Sequence, residues 1–362
     1  MTDPTDNMTL YVGGLQYGGW KTAQAQVGMD RAAGSFELDV TELWPGQDVT
    51  RRIRPGDACR LAAGGDVLVT GYVDAVDVQL DGFNHQVTIR GRDSSADLID
   101  CSAIRTPGQW FNRTVLSIAQ DLAKPFGVTV AADVDAGKAL ASFALQEGET
   151  VFDAIDRAGR LRGLMLMSDG VGGVVFTRAG LKRCTDALVL GGNVLTGRST
   201  FDVRDRFSSY TAKGQAAGTD FFNSESAAHA VAKATDPQVT RYRPLLMTGE
   251  APDASGSLVQ RVKWEATVRA ARSMTVQLVV QGWRQQDGTL WKPNHLVHVV
   301  ADALRLDQDL LISSCEYAIG PTGLLTTLAL TRPDAYTLEP IKPNPAAAVS
   351  AGAFWDVAGA RR

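Results

Sequence analysis

Apolar and polar residues alternate with period two over much of the first hundred positions. In Ser35–Val40 the alternation puts Phe36, Leu38 and Val40 on one face and Ser35, Glu37 and Asp39 on the other, the pattern of a half-buried strand. Residues 67–78 and 87–91 read as two further strands separated by the turn signal Asp81-Gly82, and 54–57 and 64–66 supply two more turns. Short strands at this spacing predict a small barrel or sandwich over residues 1–100.

The period changes near Cys101. Asn112 is the expected cap of a helix over 113–124, with Val115, Leu116, Ile118, Ala119 and Leu122 as its apolar stripe and Pro125 and Gly127 as its stop. A second helix is expected from Thr150, where Thr150 and Asp153 resemble a capping box, to about Arg162. Residues 164–167 and 173–177 then predict a hairpin, so 101–190 reads as a small α+β region.

Strand periodicity returns over 199–211. The stretch 214–257, rich in Gly, Ala, Ser, Thr and Asp, keeps no steady period and reads as a long excursion with one short helix at 226–233. Leu258, Val262, Ala266 and Ala270 form a single i, i+4 column, which predicts a helix over 258–272. Residues 275–283 alternate, Gln286–Thr289 is a hairpin signal, and 295–300, 310–316 and 324–330 read as strands, completing a region over 191–337. Pro340, Pro343, Pro345 and an alanine run make 338–362 an extended arm carrying Phe354 and Trp355, an aromatic pair with no local core and suited to docking on a neighbour. A faint repeat joins the two β regions. Residues 66–69 match 309–312 at an offset of 243, and Val87, Ile89 and Asp93 match Leu328, Leu330 and Asp334 at 241. Duplication and chance similarity of strand pairs both account for it.

A length of 362 residues gives a prior of two or three domains, and 44% hydrophobic against 21% charged residues excludes a disordered chain. The net charge of −4 argues against a protein that coats nucleic acid, and the basic clusters at 51–54, 241–243 and 261–272 sit among acids, as solvated faces or contact rims do. Cys59, Cys101, Cys184 and Cys315 lie too far apart for a disulfide framework or a metal knuckle. The uncharged run 317–331 is too short for a membrane span and is broken by Gly320, Pro321 and Gly323, and the acidic N-terminus lacks a secretory pattern. His295 and His298 point to opposite faces of an expected strand, whereas His85 and His229 lie in polar loop sequence. No G-x-S-x-G, H-E-x-x-H, G-x-G-x-x-G or P-loop pattern occurs. Residues 145–155 echo the start of a peptidoglycan-binding LysM module, but the helix is followed by two strands rather than by a second helix. No catalytic, cofactor-binding or metal residue is expected, no cofactor, and no enzymatic activity.

Particular segments carry a family resemblance: 282–294, 310–314, Gly323 through 331–336, 241–244, 70–74, 90–93 and 148–153. In their order and number they resemble the Mu-like contractile phage baseplate hub proteins, of the late control protein D family, related to the base of the type VI secretion spike. The resemblance spans about 8–337. It implies a mainly β fold with α+β insertions: two similar β-barrel domains, over 1–100 and 191–337, with an α+β region at 101–190 between them. The chain would assemble as a homotrimeric ring in the virion. Expected partners are the tail tube or tube-initiator protein, the central spike and the baseplate wedge proteins, with DNA only in transit and no membrane insertion, after synthesis in the host cytoplasm. Two alternatives stay open: the hub of a type VI or tailocin-like machine, which usually continues into a needle, and a peptidoglycan-binding or lytic tail module.

Overall fold

The computed structural model describes residues 6–40, 53–81, 85–214, 230–249 and 254–338. The chain divides into two compact units that part in sequence between Arg178 and Ala179. The expectations for Asp81-Gly82 (at Gly82), Arg51 and Arg52, His229, the 226–229 end of the short helix and the 338–362 arm beyond Leu338 lie outside the described residues, as does the side chain of His85.

The first unit opens with β1 (Met8–Val12), β2 (Leu15–Tyr17), β3 (Thr22–Gly28), β4 (Ser35–Val40), β5 (Ala58–Ala63), β6 (Asp66–Leu80) and β7 (His85–Asp93). Their order in the sheet is β3-β4-β7-β6-β5-β1-β2, antiparallel throughout. The alternation read from Ser35–Val40 holds: Phe36, Leu38 and Val40 are buried, alongside Leu61, Val69 and Ile89. The expected barrel is corrected in one respect: β2 and β3 do not pair with each other, so the strands of this unit do not close into a barrel among the described residues. The short β2 folds back on β1 and ends the ladder there.

An α+β lobe completes this unit: α1 (Ala96–Asp100), β8 (Gln109–Arg113), α2 (Val115–Ala123), β9 (Val130–Ala132), β10 (Leu140–Ala144), α3 (Val151–Arg160), β11 (Met165–Ser168) and β12 (Val174–Thr177). Helix α2 starts later than the sequence suggests. Asn112 belongs to β8, and the cap is Thr114, whose hydroxyl accepts from the Ser117 amide at 3.2 Å. Thr150 caps α3 as expected, accepting from the Asp153 amide at 3.1 Å. Val115, Ile118, Ala119 and Leu122 meet Ala154, Ile155 and Ala158 in one core with Trp110, Phe143 and Phe176. The hairpin β11–β12 pairs in the predicted place, and β12 takes β9 as a parallel neighbour.

The second unit holds β13 (Lys182–Arg183), β14 (Leu188–Val189), β15 (Val194–Phe201), β16 (Ser209–Gly214), β17 (Ala230–Thr235), β18 (Pro244–Gly249), α4 (Ala254–Arg272), β19 (Met274–Gln281), β20 (His295–Ala301), β21 (Leu306–Gly320) and β22 (Gly323–Thr331). Its main sheet runs β15-β19-β22-β21-β20, with β13 and β14 parallel to β20. The single strand expected over 199–211 is two strands, because Asp202 folds its carboxylate onto the Arg204 amide at 2.9 Å and turns the chain between them. The excursion at 214–257 is corrected as well. Residues 230–233 are strand rather than helix, and β17, β16 and β18 form a sheet packed on α4 around Tyr210, Ala212, Ala232, Leu258 and Val262.

Five strands in each unit share one topology. The order β3-β4-β7-β6-β5 in the first is β15-β19-β22-β21-β20 in the second, antiparallel in both. In each, a strand of 15 residues pairs with one of 9 and carries a bulge, at Val73/Ala75 in β6 and at Ile312/Ser314 in β21. Superposing the bulges gives an offset of 239 on both strands (312 − 73 and 330 − 91). The neighbouring registers agree: Leu38 faces Ile89 as Leu278 faces Leu328. The turn before the third strand agrees too. Gly56 donates its amide to the Val73 carbonyl at 2.8 Å, and Asn294 donates to Ile312 at 2.9 Å, each following a proline with φ of 89° and 61°. The offsets of 243 and 241 read from sequence miss this equivalence by four and two residues. An even slip keeps apolar positions on apolar ones, so strand patterning alone does not detect it.

Glycine fixes the register of the long pair in the first unit. A Cβ on Gly91 would lie 2.4 Å from Phe36 Cζ and 2.4 Å from the Tyr72 carbonyl oxygen. Gly91→Ala is expected to lower stability by about 3 kcal/mol through overpacking. Urea unfolding followed by circular dichroism checks it, and a loss under about 0.5 kcal/mol would contradict this packing.

Candidate functional site

The polar chemistry of the first unit converges on Asp93, the last residue of β7, which is buried. Its Oδ2 accepts from the Gly34 amide at 2.6 Å and the Ser168 hydroxyl at 2.7 Å. Its Oδ1 accepts from the Ser95 amide at 3.0 Å and from the Ser95 hydroxyl. One carboxyl thus ties the β3–β4 connection, the start of α1 and the end of β11 together. Burial pushes the Asp93 carboxyl above the usual carboxylate range, although these hydrogen bonds pull it down. Such a group fastens sheet to lobe.

Beside it lies a surface pocket of about 320 Å³ lined in part by Tyr72, Asp74, Arg92 and Asp97. Arg92 is already held by Asp74 at 2.8 Å and by Asp100 at 2.7 Å, and it keeps the Asp100 carboxyl below its ordinary range. The pocket therefore offers no uncommitted cation for an anionic substrate. In the second unit Arg206 makes a buried fork with Asp236, at 2.8 and 2.9 Å, and also reaches Gln238 at 2.8 Å. It locks the β16–β18 sheet to the loop before it. Arg243, from the segment 241–244, donates to the Arg206 carbonyl at 3.0 Å and lies over the Phe207 ring.

The expected candidates for chemistry resolve as follows. His298 sits between Asp307 at 3.3 Å and Asp309 at 3.1 Å, and Arg183 also binds Asp309, whose carboxyl falls to about 2 through the Arg183 and His298 hydrogen bonds. His295 turns away toward the Pro293 carbonyl, and burial lowers its pKa. The two histidines do not converge. No cluster of three metal-ligating side chains occurs among the described residues. Burial pushes the thiols of Cys59 and Cys184 up to about 12 and raises that of Cys315 as well, so these cysteines are poor nucleophiles. Among the described residues no helix is long and apolar enough to cross a membrane.

Open surfaces remain. On β6, Val78 and Leu80 are exposed, and on β15 and just after it Leu195, Phe201 and Val203 are exposed. Sequence patterning had no means of separating these from core positions, because they continue the same alternation. Asp93 was in view only as part of the segment 90–93, and Arg206–Asp236 is a pair 30 residues apart with no local signal.

Comparisons with known proteins place the chain in a family. Three family models match in chain order: the N-terminal domain of Mu phage baseplate assembly protein GpP-like proteins at 7–93, the second domain of baseplate hub protein gp44-like proteins at 95–178, and the fourth domain of Mu phage baseplate assembly protein GpP at 255–339. The baseplate hub protein gp44 of Escherichia phage Mu is 36% identical over 348 residues, covering 94% of this chain and 91% of that protein. The chain belongs to the Mu-like baseplate hub family. A 43 kDa tail protein of prophage MuSo2 from Shewanella oneidensis superposes with a TM-score of 0.82 at 31% identity, covering 92% of this chain and 100% of that one. A tail protein from Neisseria meningitidis shares the fold, with a TM-score of 0.76 at 22% identity over 93% and 99% of the two chains.

As a baseplate hub protein the chain is a component of a phage particle, and its relatives are structural proteins. In such a protein Asp93 serves rigidity. Both of its oxygens accept a backbone amide, so an asparagine would aim its own N–H groups at an N–H whichever way it turned. Asp93→Asn is expected to cost about 2 kcal/mol, read as an earlier urea midpoint. An unchanged midpoint would show that the junction does not need both acceptors.

Proposed function

We propose that three copies of this chain form a ring at the tip of a contractile tail, joining a hexameric tail tube above to a trimeric central spike below. DNA passes through the lumen, and baseplate wedge proteins pack around the outside. The observation that carries this reading is the five-strand sheet present twice per chain, with the same bulge, the same proline turn and the same registers. Three chains with two such units each present six similar faces to a tube, while the threefold axis of the ring serves the spike. A symmetry adaptor of this kind works through extended complementary surfaces and needs no reactive cleft. Its center should be apolar and its rim polar, as in obligate assemblies. A net charge of −4 suits a lumen along which DNA slides rather than sticks. The virion is then its working location, after synthesis in the host cytoplasm. The 36% identity to a phage hub favours a phage particle over a type VI machine.

The test is the mass of the purified protein, alone and with co-expressed spike. The expected species is three times 38.7 kDa, binding one spike trimer. A monomer or dimer that persists at high concentration and in the presence of both spike and tube proteins would overturn the ring. Release of muropeptides from purified cell wall would overturn the non-enzymatic reading.

A further inference from the structure

The duplicated sheet exposes an asymmetry. Under the equivalence fixed by the bulges, Val78 and Leu80 of β6 correspond to Tyr317 and Ile319 of β21. Tyr317 is 1% exposed, its hydroxyl bonded to the Trp291 carbonyl, and Ile319 is half-buried, whereas Val78 is 61% and Leu80 74% exposed. At the other end of the sheet the difference is reversed. Residues Ala23, Ala25 and Val27 of β3 correspond to Gly197, Ser199 and Phe201 of β15. The three on β3 are buried, Val27 at 8%, whereas Gly197 is exposed and Phe201 is 52% exposed. The first unit thus leaves the outer half of its long strand bare, and the second leaves Leu195 and Phe201 exposed at the two ends of its first strand, with Leu304 packed against Gly197 between them.

Both bare elements are also open along the backbone. Among the described residues, positions 75–80 of β6 bond to β7 alone, and beyond the bridge at Val194 β15 bonds to β19 alone. An edge strand of eight residues carrying exposed Leu195 and Phe201 is a template for another strand. Arg198 is exposed on β15, and Asp77, paired with Arg90 of β7, is exposed on β6.

We propose that the outer half of β6 in one copy docks along the β15 edge of a second copy of this chain. The contact covers Val78 and Leu80 with the surface around Leu195 and Phe201. Because the two surfaces differ and lie on different units, the contact is heterologous and repeats head to tail, so that three copies close a ring when the rotation permits. This rests on the trimeric hub reading and names the surface that builds it. The exposed apolar positions are the same ones the duplication covers elsewhere in the chain, which is why a second copy suits them better than an unrelated protein.

Two double variants, V78D/L80D and L195D/F201D, test it by sedimentation over a range of concentrations. All four side chains are exposed, so thermal melting should stay near wild type while the trimer weakens at least about tenfold in each variant. A second measurement does not depend on tolerance of the charges. In a C101S background, V78C and L195C proteins are mixed and treated with a short bis-maleimide. Each alone should stay uncrosslinked and the mixture should give covalent dimers. Trimers that survive both double variants, together with no cross-link in the mixture, would overturn this surface and leave the hub reading intact. A wild-type chain that never associates, alone or with spike and tube proteins, would instead overturn the hub reading itself. Cross-linking to a tube protein at Val78 in place of a second copy would assign the arm to that partner and refute the proposal.

Discussion

The constraint that shapes each unit is the pairing of a long bulged strand with a shorter one. A bulge adds one residue to one strand only, so side chains beyond it would change faces if the partner did not absorb the shift. Here both copies absorb it at the same point, and the strands on either side inherit the result. Phe36, Leu38 and Val40 reach the core of the first unit from β4, and Val276, Leu278 and Val280 reach that of the second from β19. Gly71 and Gly91 flank the bulge of β6–β7, where a Cβ on Gly71 would lie 2.1 Å from the Arg92 carbonyl oxygen. The segments 70–74 and 90–93, which carry part of the family resemblance, are therefore the two sides of one close backbone approach.

Much of this architecture is legible in the sequence because it rests on local patterns. Strand β4, the α3 cap at Thr150, the hairpin β11–β12 and the column on α4 follow from alternation, capping chemistry and i, i+4 spacing, all of which act within a few residues. Asn112 misled because a cap residue and a turn residue share the same chemistry, and its φ of 49° belongs to the end of β8 rather than to a helix. The small sheet in 214–257 was not legible for a different reason. Strand β18 pairs parallel with β16 from more than thirty residues away, and its apolar residues alternate only weakly. Pairing at that separation is decided by packing on α4, which no window of sequence contains.

The candidate surfaces were the least legible. Val78 and Leu80 continue the alternation that restarts at Val76 beyond the bulge, so their apolar character reads as core. Their exposure is a property of where the sheet ends. Only comparison of the two units shows that the same positions are covered in one and bare in the other. The faint repeat pointed the right way with the wrong register, since period-two patterns match at every even slip.

A duplicated unit inside one chain has a consequence that a single unit lacks. If both copies kept identical edges, each would be as ready to pair with itself as with its twin, and growth would have no preferred end. The sequences have diverged at the edges instead. Tyr317, bonded to the Trp291 carbonyl, is buried on the long strand of the second unit, and Ala23, Ala25 and Val27 are buried on the first strand of the first. One exposed arm and one exposed edge remain, and they differ in sequence. Divergence at those positions leaves the two units with different margins, while the shared registers keep their sheets alike. The glycines and bulges hold the two units similar; the aromatic and small residues at their margins make them different. Under the proposed ring both are needed, the likeness for six similar faces and the difference for a contact with a direction.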